Sequence, residues 1–71
     1  MEKLQEKVKF DDIKVGDWVC LNQESAQPLR VHMKYEQDNL VVLATDYKAI
    51  SVKKFTKDQF NAQEYFKYLK D

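Results

Sequence analysis

The clearest pattern in the chain runs from Leu29 to Tyr35. Leu29, Val31, Met33 and Tyr35 alternate with Arg30, His32 and Lys34, which predicts a strand with one face in the core and one in water. Glu36-Gln37-Asp38-Asn39 is polar and predicts a hairpin loop. Leu40-Val41-Val42-Leu43-Ala44 is apolar on both faces, which predicts a central strand covered on both sides. Upstream, Ile13-Lys14-Val15 and Trp18-Val19-Cys20-Leu21 flank the pair Gly16-Asp17. That is strand, turn, strand, with Val19 and Leu21 on one face and Trp18 and Cys20 on the other. Gly16 is the only glycine and is expected where the backbone needs a positive φ or a tight bend. The polar stretch 22–28 reads as a loop, Asp46-Tyr47 as a short turn, and 48–54 as a further strand with Ile50 and Val52 inward.

The period changes after residue 55. Thr56 and Gln59 have capping-box spacing, and Asp58 suits the first turn of a helix. Ala62, Tyr65, Phe66 and Leu69 then fall at i, i+3, i+4 and i+7, so the pattern predicts a helix over 56–70, with Lys67 and Lys70 suited to its last turn. Such a helix would dock on the second apolar face of 40–44 or on an open barrel end. Residues 1–10 are ambiguous: Leu4 and Val8 suit a helical turn, Val8 and Phe10 a strand, and the segment can also be a loose arm. The expected fold is mainly β (α+β): a small barrel or bent antiparallel sheet of four or five strands, with a C-terminal helix.

Composition narrows the choice. Seventy-one residues make one small domain, and 44% hydrophobic with 13% aromatic content makes it a folded one. Twelve basic residues balance twelve acidic ones, which excludes a highly basic nucleic-acid coat and a strongly acidic DNA mimic. The balance is uneven along the chain, net −3 over 1–46 and +3 over 47–71. A single Cys excludes an internal disulfide and a Cys-based zinc site. A start too polar for a signal peptide and the lack of a long apolar run predict a cytoplasmic chain of bacterial or viral type, without a membrane span.

The stretch Ile13-Lys14-Val15-Gly16-Asp17-Trp18-Val19 resembles the opening of SH3-like small barrels, including KOW-type modules. Pro28-Leu29-Arg30-Val31 and the segment from Ile50 to Phe60 resemble short proteins of phage and bacterial genomes that share a Gly-Asp-x-Val opening. The likeness covers about residues 10–60 in the order of elements. It implies an SH3-like barrel and a phage-type small binding protein. A KOW module carries a further glycine in the next turn, and no glycine follows Gly16.

No catalytic constellation stands out. Cys20 and His32 are expected on the same side of adjacent strands, where a nucleophile–base pair is geometrically possible; a half-buried thiol beside a solvated imidazole accounts for them equally. Two such ligands do not close a zinc site, and one glycine cannot build a phosphate loop. The expectation is a non-enzyme with no metal and no cofactor. Binding residues are easier to nominate. Trp18, Arg30, His32 and Lys34 would share an outward face, an aromatic–arginine composition suited to a protein partner; the plain alternative packs Trp18 under the helix. Lys48, Lys53, Lys54 and Lys57, interleaved with Tyr47 and Phe55, form an alternative phosphate-binding set, or ordinary protection of an edge strand. Tyr65, Phe66, Tyr68 and Leu69 exceed one narrow helical stripe, which leaves room for a homo-oligomer. The expected function is non-catalytic binding of a protein partner, as a small regulator or inhibitor of a host or defence enzyme. An RNA- or DNA-binding accessory barrel is the runner-up, and a structural subunit completing an assembly by strand or helix addition comes third.

Overall fold

The computed structural model describes residues 4–70. They form a mainly β domain: six strands in one open antiparallel sheet, with one short helix. The strands are β1 (Leu4–Lys7), β2 (Trp18–Leu21), β3 (Leu29–Tyr35), β4 (Leu40–Ala44), β5 (Val52–Thr56) and β6 (Tyr65–Tyr68), and the helix is α1 (Lys57–Ala62). Their spatial order is β1-β6-β2-β3-β4-β5, so the last strand in sequence is inserted between the first two.

The expected C-terminal helix stops early. Thr56 and Gln59 make the reciprocal capping box that the spacing predicts, with the Gln59 N–H on Thr56 Oγ1 and the Thr56 N–H on Gln59 Oε1. Gln63 caps the other end, and Glu64 takes a left-handed φ of 59° that turns the chain out of the helix. Tyr65-Phe66-Lys67-Tyr68 then extends as β6. Aromatic residues favour a pleated surface, and here β1 and β2 on either side supply ladder partners for every position of a strand. The helical spacing of Ala62, Tyr65, Phe66 and Leu69 is thus overridden by pairing. Within the ambiguous segment 1–10, Leu4–Lys7 is strand β1, and residues 1–3 lie outside the described residues; Lys7 pairs its ammonium with the Glu64 carboxylate at 2.7 Å.

Cα partners across an antiparallel ladder share a face, so the register sorts the side chains into two sets. Val19 with Leu29, Val31 with Leu43, Val41 with Phe55 and Leu21 with Tyr65 define an inner face. Val8, Phe10, Ile13 and Phe60 close over it to complete the core. The sheet curls around these groups. Phe55 at one edge reaches within 6.4 Å of the Tyr65 ring, with three strands between them in the sheet, and Phe60 of α1 stacks on Tyr65 at 4.7 Å. Phe10 is tied to α1 by its N–H on Asn61 Oδ1.

At the entry to β2 the expected turn forms, but Ile13-Lys14-Val15 before it is not a strand. Gly16 has φ +101°, and the Asp17 N–H donates to the Lys14 carbonyl. Val15 keeps a negative φ, so this is a turn with its one left-handed position at the third residue, where glycine fits. The Asp17 carboxylate accepts the Lys14 N–H at 3.1 Å and locks the turn.

The strand expected at 48–54 begins later. Asp46 Oδ1 accepts the N–H groups of Lys48 and Ala49, and Ala49 sits at φ 53°, so residues 45–51 are a turn-rich loop. Ile50 is 80% exposed in that loop, and Val52 faces outward on β5. Phe55 takes the inward place assigned to them.

Candidate functional site

The outer face of the sheet is decided by one irregularity. Val31 pairs with Leu43, but Met33 pairs with Val42, so His32 is an extra residue, a β-bulge in β3. The extra residue shifts the side-chain period. Beyond it Met33 and Tyr35 turn outward, and Lys34, level with Val41, turns inward. This corrects the expected grouping of Arg30, His32 and Lys34 on a single open face.

Lys34 is spent on structure. Its side chain is 9% exposed, its ammonium lies 4.7 Å from the centre of the Phe10 ring, and it donates to the Ile13 carbonyl at 2.8 Å. The apolar stem crosses the core face while the head meets a carbonyl and a ring at the rim. His32 is half-buried, and its Nδ1 is shielded from solvent with no hydrogen-bond partner.

Trp18 and Arg30 remain on the outer face as expected. Trp18, Arg30, Ala44 and Val52 form one cross-strand row over β2 to β5. Tyr47, from the β4–β5 loop, folds back over this row. Its ring meets Trp18 edge-on, with centroids 5.8 Å apart, and the Arg30 guanidinium lies 4.9 Å from its centre. The Lys70 ammonium covers the Trp18 ring at 4.7 Å. Trp18 is therefore half-buried in a cation–aromatic cluster, outside the main core and not beneath a helix. Ala44 is sealed at the centre of the row, whereas Tyr47 is 70% exposed. The next rows, Met33-Val42-Lys54 and Tyr35-Leu40-Thr56, continue the surface with exposed Met33 and Tyr35. The sequence does not place Tyr47 or Lys70 on this face, because no spacing rule brings a loop tyrosine or a lysine beyond the last strand over a strand ladder.

The four lysines of the alternative set are not one patch. Lys53 pairs with Leu43 and belongs to the inner face; Lys54 pairs with Val42 and belongs to the outer one. Lys48 is exposed in the loop, and Lys57 approaches Asp11 at 3.3 Å.

The remaining chemistry-bearing groups have structural partners. The Cys20 thiol is buried and donates to the Ala26 carbonyl at 3.7 Å; burial pushes its pKa up, against a smaller lowering by the Leu21 backbone. A raised pKa disfavours the nucleophilic thiolate. No hydrogen bond joins Cys20 to His32 among the described residues. Glu6, Asp12, Asp17, Lys7 and Lys67 line a hollow of about 290 Å³ beside β1. Asp12 and Asp17 there already accept the Lys9 and Lys14 N–H groups. Among the described residues there is no group of three or more His, Cys, Asp or Glu placed to hold a metal ion, and no helix long and apolar enough to cross a membrane. Comparison with protein-family models, curated proteins and solved structures finds no match for this chain.

Proposed function

We propose that the chain is a non-catalytic binding protein that engages a protein partner through the outer face of its sheet, as a small regulator or inhibitor. The observation that carries this is the cluster of Trp18, Arg30 and Tyr47 set beside exposed Met33, Tyr35 and Val52, on a face that no helix or strand among the described residues covers. Aromatic and arginine side chains held rigid before binding lose little entropy on contact, and they dominate the energetics of protein interfaces. Val42 and Ala44 lie beneath these side chains, nearly sealed from solvent, and support them from below. The separation of Lys53 from Lys54 onto opposite faces favours this reading over the nucleic-acid one, because a phosphate backbone calls for cations along one track. The curl that brings Phe55 to Tyr65 supports an SH3-like small-barrel description of the domain.

The test is affinity capture by the tagged chain from its own host, at moderate salt and with nuclease, comparing the parent with Arg30→Glu and Tyr47→Ala. One protein retained at stoichiometric yield by the parent, and lost by both variants with their amide spectra otherwise unchanged, is the expected result. Retained material that vanishes with nuclease would overturn it.

A further inference from the structure

A different surface lies at the β5 edge. β5 pairs with β4 on one side, and among the described residues no strand opposes its other side. Its last N–H, that of Thr56, is already taken by Gln59 Oε1, so the open edge is Val52–Phe55. An unpaired edge presents backbone donors and acceptors to any extended chain of suitable side-chain chemistry.

The curl of the sheet leaves a groove beside this edge. It has a volume of about 540 Å³ and is lined by Ser51 and Lys53 from β5 and its approach, by Gln63 after α1 and Tyr65 at the start of β6, and by Leu21 and Leu29 from β2 and β3. At the opposite end of the inner face Phe10, Ile13 and the Lys34 ammonium come together. Leu21 is the half-buried apolar group of this groove; Leu29 and Tyr65 form its nearly sealed floor, and Gln23, Gln27 and Thr45 line its rim next to the free strand edge.

Charge selects the occupant. Lys53 reaches the groove side and Lys54 the outer side, and neither makes an ion pair within 4 Å among the described residues. An added strand also sends consecutive side chains to opposite faces, so two adjacent acidic residues would each meet one of these lysines. The division that separates the two lysines for a phosphate track suits them to an extended peptide. A second copy of this chain pairing through β5 would set lysines against lysines, which is unfavourable.

We infer that β5 is a docking edge for an extended acidic peptide segment, which adds as a further strand and places a small apolar side chain in the groove beside Leu21. This goes beyond the outer-face reading and does not depend on it.

The probe is a synthetic seven-residue peptide, blocked at both ends, with adjacent Glu and Asp at its centre between valines. It is titrated into the ¹⁵N-labelled full chain and followed by amide shifts. Shifts centred on 52–55 and the groove residues are expected. The same peptide N-methylated at alternate amides, in either phase, should bind about tenfold more weakly in one phase, because it cannot complete the ladder. The Lys53→Glu/Lys54→Glu double variant should also lose about tenfold, and should instead bind the peptide with Lys-Lys at its centre. Both lysines are exposed, so the fold should survive the exchange, and the amide spectrum verifies this. Arg30→Glu and Tyr47→Ala should leave peptide binding unchanged, which separates failure here from failure of the outer-face reading. No shift at millimolar peptide, equal binding of both N-methylated forms, or shifts centred on Trp18 and Tyr47 would each overturn the inference. So would an oligothymidine that displaces the peptide from the same amides.

Discussion

Replacing Lys34 by Glu separates the bulged register from the regular alternation that the sequence suggests. On a regular strand Lys34 would stand in solvent, and exchanging it would change stability by no more than about 0.5 kcal/mol. With His32 as the extra residue, the side chain lies over the core rim, 9% exposed, with a charged hydrogen bond to the Ile13 carbonyl and the Phe10 ring beneath the ammonium. A hydrogen bond from a charged donor contributes about 1.5–3 kcal/mol, and a partly desolvated cation–ring contact about 0.5–2. Lys34→Glu would lose both, set a carboxylate against the carbonyl oxygen and the negative face of Phe10, and bring a second negative charge near Glu36. The expected loss is at least about 3 kcal/mol, comparable with the whole stability of a domain this small. Lys34→Met keeps an apolar stem but leaves the Ile13 carbonyl without its donor, and should lose about 1–2 kcal/mol. Lys54→Glu, on the exposed outer face, is the control and should stay within about 0.5. Urea unfolding followed by far-UV circular dichroism reads all three. Near-equal midpoints for the Lys34→Glu and Lys54→Glu variants would refute the bulge and restore Lys34 to the open face.

Two further perturbations test the turn and the buried acids. Gly16 has a left-handed φ and nothing within 4 Å of where a Cβ would stand, so Gly16→Ala should destabilise by about 1–2 kcal/mol from backbone strain alone. D-alanine placed there by chemical synthesis should be neutral or slightly stabilising in the same denaturation assay, and a loss with both would point to steric conflict instead. Burial raises the pKa of Cys20 and of Tyr65, with a smaller repulsion from Cys20 acting on Tyr65. Both groups are favoured in their protonated forms by folding, so the stability they contribute is intact at neutral pH. It should begin to fall above roughly pH 8.5, where an unfolded thiol ionises, and fall further through the tyrosine range. Cys20→Ser should remove the lower part of that decline in pH-dependent urea titrations, and an unchanged profile would contradict the assignment.

Local chemistry was legible where a few neighbouring residues settle it. The Gly16 turn and the Thr56–Gln59 box each depend on groups within three positions, and both form as the spacing predicts. Leu29, Val31, Val41, Leu43, Val19 and Phe60 are buried because their apolar character suits any packed arrangement of these elements. What the sequence conceals is pairing between distant segments. Tyr65 to Leu69 satisfies a helical period and a strand composition at once, and the choice falls to β1 and β2, both distant in sequence. Ile50 and Val52 look like inward positions until Asp46 gathers the following amides into a turn and moves the start of β5 along the chain.

The bulge at His32 has the widest consequence, because a single inserted residue reassigns every side chain beyond it. It removes Lys34 from the expected binding face and supplies Met33 and Tyr35 in exchange, so that face becomes more apolar and less basic. It also carries the Lys34 ammonium to one end of the inner face, where it meets Phe10 and Ile13. The other end has no such group, and Lys53 borders a groove that reaches Tyr65. The outer face holds clustered aromatics with Arg30 among them, whereas the β5 edge holds backbone groups between two lysines that make no ion pair among the described residues. Two surfaces so different in chemistry suit different parts of a partner: a folded surface for the first and an extended acidic segment for the second. If one protein engages both, loss of either contact should weaken it without abolishing binding, and loss of both should multiply, since sites joined on one partner raise each other's effective concentration.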